Sequence, residues 1–253
     1  MKQLSELNLK EKKYIIFDMD GTLIDSIGVW NMTDQKLIHN YSGVDVDLDF
    51  IQSDRDYFLN NNSSSDIYTA YCEYLINKYN LSITDPNQLS NIRRDTANEV
   101  LKHEMDFKPN VVELILKLKS LGYVLILATV TTQSQLQVYY RENQKMIDKM
   151  NIQEVFDLMV TKEDVEKKKP DPEIYSMIMR YYNAKPEECL VFEDSYTGVL
   201  ASKNAGIEVV NVYDKYADLD RDKIDEITDY SIVNYKEFID YLDSLYKIIN
   251  EVQ

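Results

Sequence analysis

The chain has 253 residues, 44% of them hydrophobic and 28% charged, which is ordinary for a globular protein of one large or two modest domains. Its formal net charge of −16 argues against a nucleic-acid partner and against binding to an anionic membrane surface. The two cysteines, Cys72 and Cys189, lie far apart, which excludes a disulfide framework and a CxxC metal site.

The first predicted element is a short buried strand, Tyr14–Phe17, which is followed directly by two acids. In an extended chain residues i and i+2 point the same way, so the carboxylates of Asp18 and Asp20 can converge on one spot. Gly21 then permits a tight turn and the close approach of a ligand to the backbone. An Asx turn or a loop cation site is an alternative for these residues, and the motif alone does not decide between them.

The segment 26–105 shows helical periodicity and lacks apolar strand runs. A polar loop at residues 60–65 and an Asp85-Pro86 break divide it into predicted helices. The segment is long enough to pack as its own unit, so we predict an all-helical domain inserted between residues 1–25 and 106–253. We interpret Trp30 as a packing residue of this domain and not as a platform for substrate.

Strands and helices alternate in the rest of the chain. The predicted strands are residues 123–128, 156–160, 189–192, 208–212 and 230–232. The predicted helices are residues 111–121, 133–150, 173–182, a helix that ends near 205, and 235–249. This alternation predicts an α/β fold with a doubly wound parallel sheet.

Polar side chains follow several of the predicted strands or precede the next helix. They are Asp18, Asp20, Thr129, Lys169, Glu193 and Asp194. Because parallel strands end at the same edge of a sheet, we expect these side chains to lie close together. Clustered carboxylates repel one another, and a hard divalent cation such as Mg²⁺ relieves that repulsion. With a lysine and a hydroxyl nearby, the set contains the parts that phosphoryl transfer needs.

In order and spacing these residues resemble the four signatures of the haloacid dehalogenase (HAD) superfamily, in the branch related to β-phosphoglucomutase and its phosphatases. The matching stretches are residues 18–22, 127–129, 169–172 and 192–198. The resemblance extends from about residue 13 to residue 242. It implies a Rossmann-like core with a helical cap inserted after the first signature, which agrees with segment 26–105 in position and size.

The resemblance also implies catalytic roles. Asp18 would be the nucleophile that forms an aspartyl-phosphate, and Asp20 would protonate the leaving alcohol and then activate water. Thr129 and Lys169 would hold the oxygens of the transferring phosphoryl group. The family pattern therefore predicts a phosphoric monoester hydrolase.

A magnesium site is implied as well. Asp18, Asp194 and the backbone carbonyl of Asp20 would bind Mg²⁺, and Glu193 would assist directly or through water. Simpler roles exist for some of these residues, because Glu193 and Asp194 could instead cap the following helix. Lys169 follows two other lysines, and such a basic run is usually a solvated surface.

The chain departs from the mutases of this branch at three places, one of which is the polar loop at residues 60–65, where their sugar-reading loop carries an arginine. Trp30 occupies the position of their cap histidine, and no base follows Thr129 in the run Val130–Gln133. Because a mutase must hold both ends of a bisphosphate, these differences favour a phosphatase. The alternatives are a phosphotransferase of the β-phosphoglucomutase type and a non-catalytic binding protein. A dehalogenase is disfavoured because that relative lacks the second acid, here Asp20.

Further expectations concern partners and location. The lysine-rich first 13 residues lack the apolar centre of a signal peptide, and no stretch approaches the ~18 apolar residues that a membrane span needs. We therefore expect a cytoplasmic protein that acts on a small phosphorylated metabolite and has no membrane or nucleic-acid partner. The oligomeric state stays open, with a monomer as the simpler expectation.

Overall fold

The computed structural model describes residues 2–252, which form two compact units. One unit contains the segment that ends at Asp25 together with the segment that begins at Asp106. The other unit is Ser26–Met105. No helix in the described part of the chain is both long enough and apolar enough to cross a membrane.

The first unit is built on a parallel sheet, which in the described residues has six strands in the order β3-β2-β1-β4-β5-β6. The strands are β1 (Tyr14–Phe17), β2 (Val124–Ala128), β3 (Leu158–Val160), β4 (Cys189–Glu193), β5 (Glu208–Val212) and β6 (Tyr230–Ile232). The strand order reverses between β1 and β4, and ligands of doubly wound sheets bind at the carboxyl ends of the strands beside such a reversal. The predicted α/β fold class is confirmed.

The central strands are continuous apolar runs because helices cover both faces of a parallel sheet. Every residue of β4 is buried, and the last three residues of β1 are completely buried. Phe17 of β1 stacks on Phe192 of β4, with 4.7 Å between the ring centroids. The two strands that carry most of the predicted acids are therefore held rigidly side by side.

The second unit consists of four helices, as the sequence predicts for the inserted domain. They are α1 (Ile27–Ser42), α2 (Leu48–Asn60), α3 (Ile67–Tyr79) and α4 (Pro86–His103). Three of them begin at an aspartate whose side chain accepts a backbone N–H of the first turn, namely Asp47, Asp66 and Asp85. The sequence analysis did not separate α2 from the helix before it.

The interior of the helical unit contains a buried ionic cluster beside its apolar core. The Asp34 carboxylate is completely buried and accepts hydrogen bonds from Arg93, Arg55 and the hydroxyl of Tyr71. The Arg93 guanidinium lies over the ring of Trp30 at 4.5 Å from the ring centroid. Trp30 is 36% exposed.

Among the described residues, the α/β unit contains eight further α-helices. They are α5 (Val111–Ser120), α6 (Gln133–Gln137), α7 (Gln144–Lys149), α8 (Ile152–Val155), α9 (Glu173–Tyr182), α10 (Tyr196–Asn204), α11 (Arg221–Ile227) and α12 (Tyr235–Val252). The single helix predicted for residues 133–150 is wrong. A π-helical stretch, Val138–Glu142, follows α6, and Asn143 then ends it and caps α7 by accepting a hydrogen bond from the Met146 N–H.

Candidate active site

The carboxyl ends of three neighbouring strands bring the predicted site residues together. Asp18 follows β1, and its backbone N–H donates to the Phe192 carbonyl at 3.0 Å. Thr129 follows β2, and its N–H donates to the Val160 carbonyl at 2.9 Å. Glu193 is the last residue of β4. The sheet ladder thus continues one residue past β1 and β2, and it fixes where these side chains begin.

Lys169 lies at the centre of the site. Its Nζ donates to Asp18 Oδ1 at 2.6 Å, to Glu193 Oε1 at 2.6 Å and to the Ala128 carbonyl at 3.1 Å. Its side chain is 5% exposed, so it is not part of a solvated basic run. Burial alone would lower the pKa of Lys169, but the negative charges of Asp18 and Glu193 outweigh burial and raise that pKa well above its usual value. The amine is therefore a permanent cation between two acids.

Both oxygens of Glu193 are engaged in hydrogen bonds. Oε1 accepts from Lys169 and from the Tyr175 hydroxyl, and Oε2 accepts from the backbone N–H groups of Asp194 and Ser195. Gly198 makes this arrangement possible, because a Cβ atom there would lie 1.9 Å from the Glu193 carboxylate. The carboxylate is consequently fixed in one orientation.

Ser195, and not one of the two acids, is the N-cap of α10. Its Oγ accepts the Gly198 N–H at 3.1 Å. The hydroxyl also donates to Glu193 Oε2 at 3.2 Å, so the helix start and the acid before it are held together.

Asp194 is held against the loop that follows β1. The Thr22 hydroxyl donates to Asp194 Oδ1 at 2.7 Å, and the Thr22 carbonyl accepts from the Tyr235 hydroxyl at 3.0 Å. Gly21 has a φ of +83°, and a Cβ atom at this position would lie 2.2 Å from Asp194 Oδ2. Glycine is needed here both for the positive φ and for the close approach of the carboxylate.

Three buried acids form a group with the composition of a metal site. One carboxylate oxygen from each of Asp18, Glu193 and Asp194 lies within 4.8 Å of the others. Burial, and then the charges of Glu193 and Asp194, raise the pKa of Asp18 well above its usual range, although Lys169 opposes the change. Burial and the charge of Glu193 raise the pKa of Asp194 to about 8. Carboxylates whose pKa values are raised in this way suit a hard divalent cation, because its positive charge would favour their charged forms.

The Asp20 carboxylate lies outside that group and points to the end of β2. Its Oδ2 accepts a hydrogen bond from the Thr131 hydroxyl, and the Thr131 N–H donates to Thr129 Oγ1 at 3.0 Å. The sequence analysis predicted Asp20 and Thr129 but missed Thr131. Its one available signal was a second hydroxyl two residues after Thr129 at the same strand end.

A second layer of side chains braces the site, and the sequence analysis missed it as well. Asn211 Nδ2 donates to the backbone carbonyls of Glu193 at 3.0 Å and Asp194 at 3.2 Å, and its Oδ1 accepts from Arg221 at 2.9 Å. Lys108 Nζ donates to the Gly21 carbonyl and forms an ion pair with Asp214. The end of β5 thus supports the loops that carry the acids.

Comparisons with known proteins bear on the family of this chain. The family model of haloacid dehalogenase-like hydrolases matches residues 15–212. A phosphorylated carbohydrates phosphatase of Thermotoga maritima is 38% identical over 116 residues, which are 46% of this chain and 49% of that protein. A glyceraldehyde 3-phosphate phosphatase of Pyrococcus furiosus is 24% identical over 92% of this chain and 90% of its own length. The chain spans about half the length of the first relative and nearly all of the second.

Solved structures share the fold at lower sequence identity. A HAD family hydrolase of Deinococcus radiodurans, solved with bound phosphate and sodium, superposes with a TM-score of 0.69 and 18% identity. The superposition covers 92% of this chain and 96% of that one. The superfamily resemblance predicted from the four signatures is confirmed, and the chain belongs to the haloacid dehalogenase-like hydrolase family.

Proposed function

We propose that this protein is a Mg²⁺-dependent phosphatase that hydrolyses a small phosphate monoester, such as a phosphorylated carbohydrate, through an aspartyl-phosphate. The observation that carries the proposal is the buried Asp18 carboxylate. It accepts a hydrogen bond from Lys169 Nζ at 2.6 Å and lies in one group with the carboxylates of Glu193 and Asp194. The names of the two phosphatase relatives support the reaction class. The cation would be held by Asp18, Asp194 and the backbone carbonyl of Asp20, with Glu193 assisting directly or through water.

Residues of the chain itself would make and break each bond, with the bound cation supporting the charge. Asp18 attacks phosphorus with a carboxylate oxygen, and the bond between phosphorus and the substrate's ester oxygen breaks. Asp20 gives its proton to that leaving oxygen, which departs as an alcohol. Asp20 then takes a proton from water as the water oxygen attacks phosphorus, and inorganic phosphate leaves while the Asp18 carboxylate is regenerated. Lys169 and Thr129 hold the phosphoryl oxygens, and Mg²⁺, when bound, supplies positive charge for the anionic group.

A panel of phosphate monoesters tests this function. Purified protein is assayed for phosphate release from sugar phosphates, triose phosphates and p-nitrophenyl phosphate, with Mg²⁺ and with a chelator. We expect release that requires Mg²⁺. Conversion of a sugar monophosphate to an isomer without phosphate release would favour the phosphotransferase alternative. Binding of a phosphorylated ligand without turnover would favour the binding protein, and either outcome would overturn the proposal.

The pKa of the buried acids predicts how stability depends on pH. The folded protein keeps the Asp194 proton up to about pH 8, whereas the unfolded chain loses it near 3.8. Unfolding therefore releases a proton between these values, so in chelator the free energy of unfolding should fall as pH rises, by an amount on the order of a few kcal/mol. Saturating Mg²⁺ should reduce this slope, because the cation stabilises the charged carboxylates. Urea unfolding at several pH values, with chelator and with Mg²⁺, measures the difference; identical slopes would argue against cation binding by these acids.

A further inference from the structure

The Thr131 side chain contacts the Asp20 carboxylate, although Thr131 follows β2 and Asp20 follows β1. Its hydroxyl donates to Asp20 Oδ2, and this is the one hydrogen bond that the Asp20 carboxylate receives within the described part of the chain. Asp20 and Thr131 are both half-buried, so water has partial access to the pair. The orientation of the Asp20 carboxylate thus depends on one donor.

The backbone of Thr131 is anchored on both sides. Its N–H donates to Thr129 Oγ1 at 3.0 Å, and its carbonyl accepts from the Lys162 N–H at 3.2 Å. Thr129 is in turn tied to Val160 at the end of β3. With its backbone held in place, Thr131 can keep the hydrogen bond from its hydroxyl to Asp20 Oδ2 and so favour one orientation of that carboxylate.

Thr131 also stands apart from the hydroxyl next to it. Thr132 Oγ1 accepts from the Gln135 N–H at 3.3 Å and caps α6, and the described structure gives it no contact with Asp20. The two adjacent threonines therefore have different partners, and Thr132 provides a matched control.

We propose that Thr131 is a positioning residue that holds the Asp20 carboxyl by Oδ2, so that Oδ1 is the oxygen that exchanges a proton with the leaving group and then with water. This inference rests on the proposed phosphatase function. The four sequence signatures do not include Thr131, and the inference assigns to this residue the positioning of the acid and base. Asp20 is expected to rotate when the hydroxyl is removed.

The choice of substrate separates positioning of the acid from a general structural role. An alkyl phosphate needs a proton on its leaving oxygen, whereas p-nitrophenolate leaves as a stable anion. Thr131→Val, which keeps the branched shape, should lower kcat/KM for an alkyl phosphate by about 10- to 100-fold, a part of what general acid catalysis contributes. The same variant should lower kcat/KM for p-nitrophenyl phosphate by less than about 3-fold.

Two controls accompany this measurement. Thr131→Ser restores the hydroxyl and should return both substrates to within about 3-fold of the wild type. Thr132→Val removes a helix cap at a cost of about 1 kcal/mol of stability and should leave the ratio of the two substrates unchanged. Equal losses for both substrates in Thr131→Val, or no loss for the alkyl ester, would overturn the proposal.

A crystal structure of each variant gives a readout that does not depend on activity. Asp20 should keep one side-chain rotamer in the wild type and in Thr131→Ser, and should leave it in Thr131→Val. An unmoved Asp20 in Thr131→Val would overturn the positioning role even if the wild type proves inactive. A wild type that releases no phosphate from any monoester would instead refute the proposed function, so the two failures are distinguishable.

Discussion

Replacing Asp18 with asparagine should lower kcat for every accepted phosphate ester by a factor on the order of 10⁵, the scale of loss when a covalent nucleophile is removed. The carboxamide cannot form the acyl phosphate that a carboxylate forms. The shape of the site should survive, because the amide oxygen of Asn can still accept the 2.6 Å hydrogen bond from Lys169. Single-turnover phosphate release by equal amounts of variant and wild type measures the loss.

Stability separates this loss of chemistry from a loss of fold. Burial and the charges of Glu193 and Asp194 raise the pKa of Asp18, so its charged form is disfavoured in the folded protein. Asp18→Asn should therefore unfold no earlier than the wild type at neutral pH in chelator. Asp148→Asn, at an exposed acid bonded to Gln144, should keep full activity. An Asp18→Asn protein that retains more than about 1% of wild-type activity would exclude Asp18 as the covalent nucleophile.

Replacing Asp34 with asparagine should destabilise the helical unit by about 3–5 kcal/mol, the usual effect of removing one partner from a buried ionic cluster. The Asp34 carboxylate accepts from Arg93 Nε at 2.6 Å and Nη2 at 3.1 Å, from Arg55 Nη1 at 3.3 Å and from the Tyr71 hydroxyl at 3.1 Å. A neutral amide would leave two buried guanidinium groups without a counter-charge. The prediction concerns stability alone and holds whatever the substrate is.

The single tryptophan of the chain makes this effect measurable in one unit. Trp30 belongs to the helical unit and lies over Arg93, so its fluorescence in urea reports the unfolding of the region around the cluster. Glu104→Gln is the matched control, because Glu104 and Lys36 form an ion pair at 2.8 Å that is exposed on both sides. Such a pair contributes less than about 1 kcal/mol. If Asp34→Asn lowered stability by no more than Glu104→Gln does, the buried cluster would add nothing beyond a surface ion pair.

Local sequence was sufficient to locate the strands and the residues at their ends. The predicted strands 208–212 and 230–232 coincide with β5 and β6, and Asp18 follows β1 where the apolar run stops. The reason is that buried parallel strands are short continuous apolar runs, and the first polar residue after such a run marks the sheet edge. The same argument placed Glu193 and Asp194, although β4 extends one residue further than predicted.

Local sequence was insufficient where the backbone leaves a regular helix. The π-helical stretch Val138–Glu142 and the turn at Asn143 interrupt a segment whose apolar spacing looks continuous. Asn143 is completely buried, so its capping role depends on the structure packed around it. Apolar periodicity shows only which side of a segment faces the interior. A π turn or a short break leaves the same side facing the interior, so the apolar pattern does not reveal it.

The sequence by itself determined the α/β architecture, the helical insertion and the chemical types at the sheet edge, because each depends on patterns within a few neighbouring residues. Only the tertiary structure decided which atoms meet. Lys169 lies between Asp18 and Glu193, although 151 residues separate it from Asp18. Thr131 bonds to Asp20 across 111 residues. Such pairs depend on strand order and on distances of a few ångströms, which the spacing of residues along one chain does not specify.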